Sequence, residues 1–105
     1  MPVPISSAAE AVGNRVKARR REMKATQDEL AQASGVDSTT IRKIELGTRN
    51  VNMHNLIRIA HCLKMDPGLL LEGLTIDMVP EVAVRVSPAE KFAKLRDGVQ
   101  WIGRS

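Results

Sequence analysis

The sequence has no tyrosine, one tryptophan, one phenylalanine and one cysteine. With a single thiol, Cys62, no internal disulfide framework can form, and without a CxxC or Cys/His cluster there is no zinc cage. So few aromatic rings count against modules that grip single-stranded nucleic acid by stacking its bases. No apolar run approaches the ~18 residues needed to span a bilayer. The opening MPVPISSAAEAVG also lacks the basic start and apolar stretch of a secretory signal. The expectation is a cytoplasmic chain with no membrane partner.

What is present is ordinary globular material: 105 residues, 43% hydrophobic and 27% charged. A chain of this length can bury only roughly 60–65% of its unfolded surface. One compact core plus a short tail is the expected organisation. The formal net charge is +4, and its distribution is uneven. Residues 1–25 carry +4, residues 26–74 carry −1 and residues 75–105 carry +1. Basic surface is therefore expected near the first helix, and a polyanionic partner suits it.

Residues 1–7, with two prolines and two serines, read as a mobile arm. Helical period begins at Ala8, with Val12, Val16 and Met23 on one face and Arg and Lys on the other. Thr26-Gln27-Asp28-Glu29 is a capping box, and Asp28 and Glu29 suit the positive end of the helix dipole. Leu30, Ala31 and Ser34 permit close packing before Gly35 closes this short helix. Asp37 caps STTIRKIEL, in which Ile41 and Ile44 form a narrow apolar seam, and Gly47 stops it. Asn52 caps a fourth helix whose Leu56, Ile59, Ala60 and Leu63 make an i, i+3, i+4, i+7 stripe. Asp66-Pro67 opens a short fifth helix.

After Gly73 the texture changes. Val82, Val84 and Val86 alternate as in a strand, and a lone strand needs a partner. Ser87-Pro88-Ala89-Glu90 then starts a helix reaching about Asp97, with Phe92, Leu95 and Val99 along one side. The fold class expected is all-α: a compact five-helix domain with a short C-terminal strand/helix tail.

A short second helix, a glycine turn and a third helix with a polar outer face form a helix-turn-helix. The segments VGNRVKARR, TQDELAQASGVDSTTIRKIELG and LIRIAHCLKMDPGLLL resemble, in order and spacing, the phage-repressor and Cro-like (xenobiotic-response-element) helix-turn-helix family. Arg20, Gln27, Leu30-Ala31, Gly35-Val36, Ile41, Glu45 and Gly47 fall in register together. The resemblance divides the chain into an N-terminal arm (1–9), a DNA-binding domain (10–73) and a tail (74–105). It implies a sequence-specific duplex DNA-binding transcriptional regulator, a repressor or autoregulator, in the prokaryotic or phage nucleoid.

In that family the third helix lies in the major groove. With helix phase at about 100° per residue, Ile41 and Ile44 point inward and Thr39, Arg42, Lys43 and Leu46 outward. The base-reading positions of the family match Ser38, Thr39 and Lys43, with Arg42 at the flank. Hydroxyls can donate or accept there, and Lys43 or Arg42 suits the acceptor edge of guanine. Gln27 matches a glutamine that bonds a phosphate, and Arg49 and Asn50 are expected backbone contacts. Arg20 and Glu45 match a structural pair tying the first helix to the third. Three positions depart from the pattern. The turn before the second helix reads Lys24-Ala25 instead of Gly and a large aliphatic. Left-handed lysine costs about 1 kcal/mol, so a differently shaped turn is expected. Leu46 stands where a polar phosphate-binding residue is common, and Val51 replaces a common proline.

Nothing suggests catalysis or a cofactor. His54 and His61 are about 10.5 Å apart along a helix axis, too far to share a metal. Cys62 has no identifiable base or orienting group, and no phosphate-binding glycine loop or carboxylate pair is present. Two classes of function stay open: the DNA-binding regulator, and an interaction protein such as an antitoxin that holds a protein partner through its tail. A homodimer is expected, since one helix-turn-helix reads too few base pairs. The tail residues assigned to dimerisation are Val82, Val84, Val86, Phe92, Leu95, Val99 and Trp101.

Overall fold

The computed structural model describes residues 2–81 together with Phe92, Ala93 and Arg96. The described residues form five α-helices and no strand: α1 (Ser7–Glu22), α2 (Gln27–Ser34), α3 (Ser38–Leu46), α4 (Met53–Cys62) and α5 (Pro67–Leu71), followed by a 3-10 turn at Ile76–Met78. Each α-helix starts at a polar side chain that accepts from an otherwise unpaired N–H. Ser6, Thr26, Asp37, Asn52 and Asp66 do this in turn. Thr26 and Glu29 complete the reciprocal capping box at α2.

The core is a single cluster drawn from all five helices. Val12 and Val16 of α1 meet Leu30 of α2, Ile41 and Ile44 of α3, Leu56, Ile59 and Ala60 of α4 and Leu70 of α5. Val36 and Leu63 from the connections complete it. Full burial of each large aliphatic stabilises by roughly 1.5–3 kcal/mol, which is the force that turns five short helices into one fold.

Two close approaches fix how α1 meets α3. A Cβ on Gly13 would lie 2.2 Å from the Ile44 carbonyl oxygen and 2.9 Å from that of Glu45. Only hydrogen fits between these backbones. Gly47, the left-handed cap of α3 at φ 75°, sits where a Cβ would meet Glu10 Cα at 3.0 Å and Pro4 Cβ at 3.1 Å.

Several sequence-based expectations change. Helix α1 starts at Ser7, inside the span assigned to the arm, and the arm is docked: Ile5 N–H donates to the Gly47 carbonyl at 2.8 Å. Met23, assigned to the apolar face of the first helix, is its C-cap and is exposed. Lys24 does take the left-handed conformation, φ 58°. Its N–H donates to Arg21 O and the Ala25 N–H to Arg20 O, which is the Schellman pairing. Those bonds offset the conformational cost of a Cβ in that region. Lys64 closes α4 the same way, at φ 55° with Lys64 N–H to His61 O and Met65 N–H to Ala60 O.

Beyond the 3-10 turn, Phe92, Ala93 and Arg96 are helical, and Phe92 is exposed. Val82, Val84, Val86, Leu95, Val99 and Trp101 lie outside the described residues, and so does the strand expected from the three valines. Among the described residues no helix is long and apolar enough to cross a membrane, and no His/Cys/Asp/Glu group could hold a metal ion.

Candidate nucleic-acid interface

Helix α3 divides cleanly into two faces. Ile41 and Ile44 are almost fully buried, and Thr40 and Glu45 are buried beside them. Thr39, Arg42, Lys43 and Leu46 are exposed, and Ser38 is half-buried at the first turn. Thr39 and Lys43 are one turn apart on the outer face. The surface offered is two hydroxyls and two cations, interrupted by the apolar Leu46.

The inner side of α3 is held by a charged network. Arg20 grips Glu45 with two parallel bonds, Nε to Oε2 at 2.7 Å and Nη2 to Oε1 at 2.8 Å. Its remaining Nη1 donates to the Ala25 carbonyl in the turn at 2.8 Å. The hydrogen bonds to Glu45 raise the Arg20 pKa above its ordinary value, against the opposing effect of burial. One guanidinium thus joins α1, the turn before α2 and α3, and its bidentate fork sets orientation as well as distance.

Gln27 adds a third arm. Its Nε2 donates to Glu45 Oε1 at 3.0 Å. A carboxylate can only accept, so the amide nitrogen must face it, and one N–H of the same group is left over. The residue matched to a phosphate contact is therefore also part of the network that seats α3.

The other end of α3 is held by a second network. Asp37 Oδ1 accepts from the Thr40 N–H at 2.9 Å, and the Thr40 hydroxyl donates to Asp37 Oδ2 at 2.8 Å. Backbone and side-chain bonds from Thr40 hold the Asp37 carboxyl below its ordinary pKa, aided by the charge of Arg49. Arg49, exposed in the loop before α4, donates from Nη1 to Thr40 Oγ1 at 3.0 Å. Asn50, next to it, is exposed. Thr48 anchors the same loop to α3 through its hydroxyl, 3.2 Å from the Lys43 carbonyl oxygen.

Half of the six cations expected to make the first-helix region a basic surface are bonded into the fold. Arg15 Nη1 donates to the Leu70 carbonyl at 3.0 Å and Arg19 Nε to the Leu63 carbonyl at 2.9 Å. With Arg20 paired to Glu45, three of the arginines behind the excess charge of residues 1–25 are bound internally. Thr40 was absent from the residues singled out in the sequence. The Asp-x-x-Thr spacing at the cap was the available signal, but its link to Arg49 depends on how the loop folds back. His54 and His61 are exposed on α4, and Cys62 is half-buried against the core.

A helix-turn-helix family model matches residues 16–70. An uncharacterized helix-turn-helix transcriptional regulator of Sinorhizobium fredii is 29% identical over 97 residues, 87% of this chain and 68% of that protein. Repressor protein C2 of Salmonella phage P22 is 32% identical over 62 residues, 59% of this chain but 29% of the repressor. The solved structure of the P22 repressor with a synthetic operator superposes with a TM-score of 0.57 at 32% identity, covering 60% of this chain and 96% of that one. The restriction-modification controller protein of Aeromonas hydrophila gives 0.58 at 31% identity, covering 59% and 94%.

Proposed function

Since the chain belongs to the helix-turn-helix family of DNA-binding transcription regulators, we propose that it is a sequence-specific, dimeric repressor or autoregulator that reads the major groove with α3. The observation that carries this is the division of α3: an outer face of Ser38, Thr39, Arg42 and Lys43 on a helix whose inner face is buried and bonded in place. Ser38, Thr39, Arg42 and Lys43 read base edges, and Gln27, Arg49 and Asn50 contact the sugar-phosphate backbone. Residues 10–73 form the DNA-binding unit and residues 74–105 supply dimerisation, which brings two reading helices to half-sites about 34 Å apart. The role is non-enzymatic and needs no cofactor. The relatives support it, being a transcriptional regulator and a repressor.

Selection of bound duplexes from a random-sequence pool tests the proposal. Enrichment of a two-fold symmetric site is expected. With ~6–10 phosphates neutralised by a dimer, log K falls against log salt with a slope of roughly −5 to −9. No enrichment and no duplex binding at low salt would overturn it.

A further inference from the structure

Thr40 does not face outward, yet its hydroxyl stands between the cap of α3 and the loop cation Arg49. The hydroxyl has one hydrogen, and a carboxylate has none to give. The Thr40 proton is therefore committed to Asp37 Oδ2, which leaves the oxygen's lone pair to accept from Arg49 Nη1. The order of donors is fixed in one direction, from guanidinium to hydroxyl to carboxylate. Thr40 is 7% exposed, so its hydroxyl is largely shielded, although Asp37 and Arg49 on either side of it reach solvent. Arg49 is exposed, and only part of its fork is used in this contact.

We infer that Thr40 is a positioning residue for DNA: its hydroxyl holds the Arg49 guanidinium against the start of α3. The phosphate contact and the base-reading residues Ser38 and Thr39 are thereby kept in one register. This rests on the DNA-binding function proposed above. A free arginine in an open loop would lose side-chain freedom on meeting a phosphate, and prior anchoring lowers that cost. The same tether couples the loop before α4 to the first turn of α3, so a phosphate at Arg49 and a base at Thr39 are met together.

The test compares Thr40→Val, Thr40→Ser, Arg49→Ala and the Thr40→Val/Arg49→Ala pair in the full chain. Affinity is read for a fluorescein-labelled pool of random-sequence duplexes, where phosphate contacts dominate, and folding is monitored by urea midpoint. Arg49→Ala should weaken binding by about 3- to 10-fold. Thr40→Val should weaken it about 3-fold, whereas Thr40→Ser, which keeps the hydroxyl, should restore the wild-type value. In the Arg49→Ala background Thr40→Val should have no further effect on affinity, although its effect on the urea midpoint persists. A general structural role would lower affinity equally in both backgrounds, and that result overturns the inference. So does wild-type affinity in Thr40→Val, with Thr40→Ala measured in its place if the valine variant does not fold. Wild-type chain that binds no duplex overturns the DNA-binding function and this inference together, whereas wild-type binding with an unchanged Thr40→Val overturns the inference alone.

Discussion

At its carboxyl end α3 is gripped by buried groups, whereas at its amino end the holding groups reach into water. The carboxyl end has the Arg20–Glu45 fork, the Gly13 contact with the Ile44 carbonyl and the Gly47 cap under Ile5. The amino end has the exposed Asp37 and the exposed Arg49, joined through Thr40. Buried, geometrically exacting contacts set where the helix lies, and disturbing them costs folding. Exposed polar contacts add less to stability and leave side chains free to meet a ligand. The end that carries Ser38 and Thr39 is the second kind.

The largest effect expected is at the buried fork. Glu45→Ala leaves Arg20 without its partner near the core and should cost about 3 kcal/mol of stability, measured as a lowered urea midpoint. An unchanged midpoint would show that both ends of α3 are held equally loosely. Next comes Gly13→Ala, which forces a methyl into the Ile44 carbonyl and should cost roughly 2–3 kcal/mol in the same assay. Lys43→Ala should leave the urea midpoint alone but cost about 1–3 kcal/mol in binding to the selected duplex, with relaxed preference at one base per half-site. Lys24→Gly has the opposite sign. Removing the Cβ from a left-handed position should raise stability by up to about 1 kcal/mol, less what glycine adds to the freedom of the unfolded chain.

The smallest effect is a pH dependence at the amino end. The Asp37 carboxyl has a lowered pKa in the fold, from its bonds with Thr40. Its contribution is present above the ordinary carboxylate value of about 3.9 and is lost as pH falls through the lower folded value. The difference in urea midpoint between wild type and Asp37→Asn should therefore shrink as pH drops below about 4. A difference that stays constant across that range would remove Asp37 ionisation from the holding of α3.

Much of this architecture is local and was readable along the chain. Thr26, Asp37, Asn52 and Asp66 sit directly before the helices they cap, and the stripe from Leu56 to Leu63 needs only helical period. Four outward positions on α3 follow from the same period, and resemblance to a family paired Arg20 with Glu45. What escaped is what depends on distant backbone. Gly13 looks like a weak residue in a helix until the Ile44 carbonyl is placed against it. Lys24 is a local exception: its left-handed cost, taken alone, omits the Schellman bonds and the Arg20 contact to Ala25 that sustain the turn. Residues 1–7 read as a mobile arm because nothing in them announces a partner at Gly47. Arg20 apart, the basic residues of α1 read as surface charge, whereas Arg15 and Arg19 have carbonyl partners far along the chain.

Those two arginines have a bearing on how the protein comes apart. Residues 44 and 55 positions away in sequence supply the acceptors, at the closing turn of α4 and in the last residues of α5. The ends of both helices are therefore bonded to α1, in the case of α4 on top of the closing turn at Lys64 and Met65. A fragment holding α4 and α5 without α1 would fray from those ends, and α1 alone would have nothing to seal. Opening either half exposes the other, so the domain should melt as one cooperative unit. Hydrogen exchange at the Leu63 amide, which donates to the Ile59 carbonyl, should then report global unfolding, not local breathing of the end of α4.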